Sequence, residues 1–148
     1  MKINVIALES SGRRWVDSVL RTHPELDVTG TSFPIEGGES RRYPRVELSD
    51  ALCVVCRDLT VQFKSVERLG CNFSTASKFS TRENLDAVQK VIREFYLNSR
   101  PVVWISYETL LAYRDMYLAS IFTQLGVDPQ KYDYTSVQYQ DGNAKYFQ

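Results

Sequence analysis

The sequence predicts an α/β fold of the three-layer kind, a mainly parallel sheet of about four to five strands flanked by helices. Two observations carry this expectation. Short apolar runs alternate with amphipathic stretches along the chain, and three of the runs, Ile3–Leu8, Ala51–Cys56 and Val102–Ser106, are nearly continuous in Val, Ile, Leu, Cys or Trp. Unbroken apolar strands are what a sheet covered on both faces requires, and helices returning between parallel strands supply that cover through right-handed crossovers.

Ile3–Leu8 is the expected first strand. It leads through Glu9-Ser10-Ser11-Gly12-Arg13-Arg14 into a helix whose apolar stripe is Trp15, Val16, Val19 and Leu20. Leu26–Thr29 reads as a second, shorter strand, and the Pro/Gly/Ser-rich stretch Ser32–Pro44 as a long mobile loop. Ala51–Cys56 is the third strand, followed by a short helical stripe of Phe63, Val66 and Leu69. Leu85, Val88, Val91, Ile92 and Phe95 recur at helical spacing behind Ser80-Thr81-Arg82-Glu83, a capping box in which Ser and Glu reciprocally satisfy the first amides. Val102–Ser106 is the fourth strand. A last helix carries Tyr117, Leu118, Ile121, Phe122 and Leu125 and stops at Gly126, with Pro129 just beyond. Val137–Gln148 is expected to run as a tail over the surface.

The 148 residues, 43% of them hydrophobic, suit one domain over 1–148 with one core. Eighteen basic residues against 18 acidic ones give a formal net charge of +0, so no global field draws the chain to nucleic acid or an anionic membrane, and any anion site is local. The N-terminal run is too short for a signal peptide or membrane span. Cys53, Cys56 and Cys71 are too few and too oddly numbered for a disulfide framework, so a reducing, cytoplasmic setting is expected. Cys53-Val54-Val55-Cys56 spells C-x-x-C, yet residues three apart on a strand face opposite ways, and the pair reads as buried small hydrophobes. No metal-ligand cluster is visible.

The chemistry concentrates where the first strand meets the first helix. A strand, a tight turn and a helix start direct backbone amides and the positive end of the helix dipole at one point, which favours phosphate or sulfate. Ser10 and Ser11 can donate to the same oxygens, while Arg13 and Arg14 supply charge. The glycine–lysine pair of a Walker A loop is absent.

Three segments, in order, resemble the sulfotransferase family. Ser11, Gly12, Trp15, His23 and Pro24 match its opening loop and the helix that ends near His-Pro. The third strand ends in Arg57-Asp58, and Ser65 follows eight positions later (57 to 65), similar to that family's site for the 3′-phosphate of its nucleotide. Ile105-Ser106-Tyr107-Glu108-Thr109-Leu110-Leu111 with Leu125-Gly126 resembles its strand-Tyr-Glu-Asp segment. The resemblance spans about residues 1–129 and lacks most of the acceptor region of larger members.

This resemblance implies a P-loop-type domain and 3′-phosphoadenosine 5′-phosphosulfate as donor, leaving 3′-phosphoadenosine 5′-phosphate, with a hydroxyl or amine acceptor and no metal. It implies a nucleotide site of Ser10, Ser11, Gly12, Arg13, Arg14, Trp15, Arg57 and Ser65, with Lys145 in place of a closing basic loop. Ser10 stands where the family has a cation, so Arg13 or Arg14 is expected to take that catalytic role, and Glu36 that of the base. A shortened relative that binds the nucleotide without transfer is the alternative, and a P-loop small-molecule kinase ranks third for want of a loop Lys and magnesium ligands. His23, the only histidine, reads as structural at the helix end, and Tyr107-Glu108 as an anchor between strand and helix.

Overall fold

The computed structural model describes residues 1–8, 11–33, 48–68 and 82–146. Its elements in chain order are β1 (Lys2–Leu8), α1 (Arg13–Arg21), β2 (Asp27–Phe33), β3 (Ala51–Cys56), α2 (Leu59–Arg68), α3 (Arg82–Leu97), β4 (Val102–Ser106) and α4 (Tyr107–Leu125). Three short 3₁₀ turns, Pro129–Lys131, Tyr134–Ser136 and Ala144–Tyr146, follow. The four strands form one sheet in the order β2-β1-β3-β4, with every neighbouring pair parallel.

Alternation along the strands divides the core between two faces. Ile3, Val5 and Ala7 of β1, with Cys53 and Val55 of β3, pack against Val16, Val19 and Leu20 of α1 and against Leu118, Ile121 and Phe122 of α4. The intervening residues Ile6, Leu52 and Val54 pack on Val91, Ile92 and Phe95 of α3. Helices therefore cover both faces of the two inner strands, β1 and β3, and this is why their paired stretches carry almost no polar side chains. Asn4 is the exception: it is fully buried and donates to Thr29 Oγ1 at 3.0 Å.

Three expectations need correction. The second strand runs over Asp27–Phe33, not Leu26–Thr29, because its ladder with β1 continues through Ala7↔Ser32 and Leu8↔Phe33. Ser32 thus belongs to a strand and not to a loop. Backbone pairing with β1 suffices for this end strand of the described sheet, so it needs no apolar run to persist. Cys53 is buried but Cys56, the last residue of β3, is exposed where the sheet ends. The last helix begins ten positions earlier than its apolar stripe (107 against 117), immediately after β4, where the Ser106 side chain accepts from Thr109 N as N-cap. Ser80, Thr81, Cys71 and most of Ser32–Pro44 lie outside the described residues.

A break interrupts α4 at Arg114, whose φ of 45° and ψ of −123° are not helical. The stretch after α4 returns to α1. His23, buried at the end of α1, accepts from Glu25 N at Nδ1 (3.2 Å) and donates from Nε2 to the Asp128 carbonyl (3.0 Å). Its ring also lies against Phe122 and Tyr132, so it serves as the structural joint expected of the His-Pro position.

Candidate functional site

The strand order places β1 between β2 and β3, so the connections leaving β1 and β3 depart to opposite sides. The carboxyl ends of these strands open the crevice in which α/β sheets usually bind ligands. Ser11, Gly12 and Arg57 all stand at this edge.

Gly12 is the N-cap of α1, with φ 80° and ψ 11°, and its carbonyl accepts from Trp15 N at 3.1 Å and Val16 N at 3.2 Å. Two constraints demand glycine here. The left-handed backbone disfavours a Cβ, and a Cβ would lie 2.5 Å from Tyr107 Cδ2. The helix has no side-chain cap hydrogen bond at Gly12 and no acidic residue in its first turn, so within that turn nothing offsets the positive end of its dipole.

Arg57 follows β3 directly. Its Nε and Nη2 both donate to Asn143 Oδ1, at 3.0 and 2.5 Å, and its Cζ lies 4.7 Å from the centre of the Tyr107 ring. Asn143 Nδ2 donates in turn to Glu108 Oε1 at 3.1 Å, which also receives Asp58 N at 3.1 Å. Asp58 Oδ1 accepts from Val61 N and so caps α2. Burial raises the Tyr107 phenol above its ordinary value; the Arg57 charge and the Gly142 backbone bond oppose that rise. The phenol stays protonated at neutral pH and acts as a wall rather than a base.

Two hollows lie at this edge. A crevice of about 270 Å³ lies on the α2–α3 side, and Ser11, Cys56, Arg57, Leu59, Gln62 and Trp104 are among its lining residues. A wider cleft of about 520 Å³ opens between α1 and the residues after α4, lined by Trp15, Thr22, Tyr107, Tyr132, Gln138 and Gly142 among others, and none of its lining residues among those described is charged. Trp15 meets Tyr107 edge-on at 5.5 Å and Tyr139 at 6.1 Å.

The structure brings Ser11, Gly12, Trp15 and Arg57 to one edge. It does not gather all the expected residues there. Arg13 folds back to Asp17, with Nη1 3.3 Å from Oδ2, and lies against Gly30 of β2. Arg14 is exposed on the first turn of α1. Ser65 is half-buried on α2, outside the lining of the Arg57 crevice, and Lys145 is exposed in the 3₁₀ turn that packs beside α2. Ser10 and Glu36 lie outside the described residues. Among the described residues no three His, Cys, Asp or Glu side chains converge on a point, and no helix is long and apolar enough to cross a membrane.

Sequence reasoning missed Asn143 and the carboxylate of Glu108 as members of this edge. The Asp141-Gly142-Asn143 turn was a legible signal, since Asn143 N bonds Asp141 Oδ1 at 2.8 Å in the manner of an Asx turn, but nothing in the sequence says where such a turn docks. Comparison with protein-family models, with curated proteins and with solved structures finds no match.

Proposed function

We propose that this edge is a P-loop-type nucleotide site, similar to that of the sulfotransferases the sequence resembles, and that the protein transfers a sulfuryl group from 3′-phosphoadenosine 5′-phosphosulfate to a hydroxyl or amine. The observation that carries the reading is the convergence of Ser11 and Arg57, from two distant motifs, on one crevice at the strand-order switch, beside the uncapped start of α1. A hydroxyl, a guanidinium and a helix N-terminus are the groups that hold phosphate and sulfate oxygens. The uncharged cleft beside Trp15 and Tyr107 suits a nucleobase, which needs flat apolar contact and a few hydrogen bonds. Ser10 would add a hydroxyl to the loop, and Ser65 would approach the 3′-phosphate from α2. Glu36 is the acceptor-side base in this reading.

Sulfuryl transfer also needs a cation beside the developing charge. Arg13 is held by Asp17, so Arg14 is the residue this reaction calls on. The same Arg13–Asp17 pair favours a second reading, nucleotide binding without transfer.

Calorimetric titration with adenosine 3′,5′-bisphosphate, AMP and ATP, together with turnover assays on phenolic, sugar and amine acceptors, tests both. The bisphosphate is expected to bind most tightly, and Arg57→Ala to weaken it at least about tenfold. Arg14→Ala is expected to bind normally while turnover falls about 100- to 1000-fold. Equal affinity for AMP and the bisphosphate would remove the 3′-phosphate reading; tight binding with no turnover on any acceptor would leave the binding protein.

A further inference from the structure

Asn143 occupies Arg57 in an unusual way for a neutral side chain. Both Nε and Nη2, the parallel donors on one side of the guanidinium fork, meet the single Oδ1. That side of the fork is the one that grips carboxylate or phosphate with two N–H bonds. The other end of the amide is committed as well, since Nδ2 donates to Glu108 Oε1. The amide therefore stands as a neutral spacer between a cation and a carboxylate, and it ties the last turns of the chain to the sheet edge.

We propose that Asn143 and an oxyanion compete for this face of Arg57, so that binding of a phosphate ester releases the turn around residues 141–146. The proposal rests on the nucleotide reading given above and adds a regulatory contact to the same site. A phosphate oxygen carries charge and an amide oxygen does not, so the anion wins at saturation; charged hydrogen bonds are roughly twice as strong as neutral ones. Release need not travel further up the chain. Tyr139 OH donates to Asp115 Oδ1 at 2.8 Å and the Tyr139 ring lies on Trp15, which anchors the segment just before the turn. Glu108 keeps Asp58 N when Asn143 leaves, so its carboxylate is not stranded.

The test uses the full chain and adenosine 3′,5′-bisphosphate as probe, with affinity by calorimetry and amide hydrogen exchange over 137–146. Asn143→Ala is expected to bind about tenfold more tightly than wild type, the size of one hydrogen bond to a charged group. Asn143→Asp, which puts a competing carboxylate on Arg57, is expected to bind more weakly. In the wild type, exchange over 141–146 should rise on binding while that of Tyr139 holds. An unchanged or weaker affinity in Asn143→Ala, or increased protection of 141–146 with ligand, would overturn the competition and leave the nucleotide site standing. Absence of binding in both wild type and Asn143→Ala would instead overturn the site itself, and the competition with it.

Discussion

Gly12 and Gly126 share a left-handed backbone, with φ of 80° and 77°, but differ in what surrounds them. Nothing lies within 4 Å of a Cβ built at Gly126, whereas one at Gly12 meets the Tyr107 ring. Gly126→Ala should therefore cost only the strain, about 1–2 kcal/mol. Gly12→Ala should cost that and the crowding too, and the excess should shrink in a Tyr107→Ala background. Urea unfolding of the five proteins (wild type, both glycine variants, Tyr107→Ala and the Gly12→Ala/Tyr107→Ala double variant) checks this; equal losses at the two glycines would show that the ring does not press on Gly12. The cysteines offer a second contrast. Burial pushes the Cys53 thiol up to about 12; at Cys56, exposed at the sheet end, partial desolvation of the thiol and then the Glu108 charge raise it. In a Cys71→Ser background, a thiol reagent at neutral pH should modify Cys56 slowly and Cys53 only after unfolding. Rapid loss of two thiols from the folded protein would contradict the burial of β3.

Helix α4 carries both a strained residue and a device that protects the sheet. The dihedrals of Arg114 are ones that glycine tolerates, and such strain costs about 1–3 kcal/mol in other residues. After subtraction of glycine's extra chain entropy, about 0.5–1 kcal/mol, Arg114→Gly is expected to stabilise the protein by about 1 kcal/mol. A raised melting temperature checks it, and a lowered one would mean that the Arg114 side chain, 5.9 Å from the Tyr139 ring, matters more than its backbone. Past the break, Tyr117 OH accepts from Ser106 N at 3.1 Å and donates to Trp104 O at 3.2 Å. It thereby satisfies two backbone groups of β4, the end strand of the described sheet, where unpaired groups invite pairing with another chain. Tyr117→Phe should cost about 1 kcal/mol and increase self-association at high concentration, as read by sedimentation. A variant as monomeric as wild type would show that the hydroxyl does not guard the edge.

Across the whole molecule, the residues after α4 are clasped to the end of α1 by Glu25, which accepts from Lys131 Nζ at 2.6 Å and from Asp128 N at 3.1 Å. The Lys131 hydrogen bond, then the Asp128 amide, lower the Glu25 carboxyl below its ordinary value. A depressed carboxyl contributes stability that is present above its unfolded pKa and lost as pH falls through the folded one. The pair is exposed, so the effect is small and salt-sensitive. Thermal midpoints across the acid range should therefore fall less steeply for Lys131→Met than for wild type. Parallel curves would mean that the clasp carries no pH dependence.

What the chain determined locally was legible in the sequence. Apolar runs long enough to be buried on both faces located β1, β3 and β4, because burial and strand geometry are properties of a short segment. The αL turn at Gly126 was equally local. Tertiary structure alone decided the rest. Strand β2 extends through polar residues because β1 offers it a ladder, and Cys56 is exposed because the sheet ends there. Arg13, next to Gly12 in sequence, is drawn to Asp17 and Gly30, while Asn143, remote in sequence, arrives on Arg57. Which guanidinium meets which oxygen depends on contacts between distant segments. Residue types and spacing specify what a side chain can bond, and only the packed fold sets what lies within about 3 Å of it.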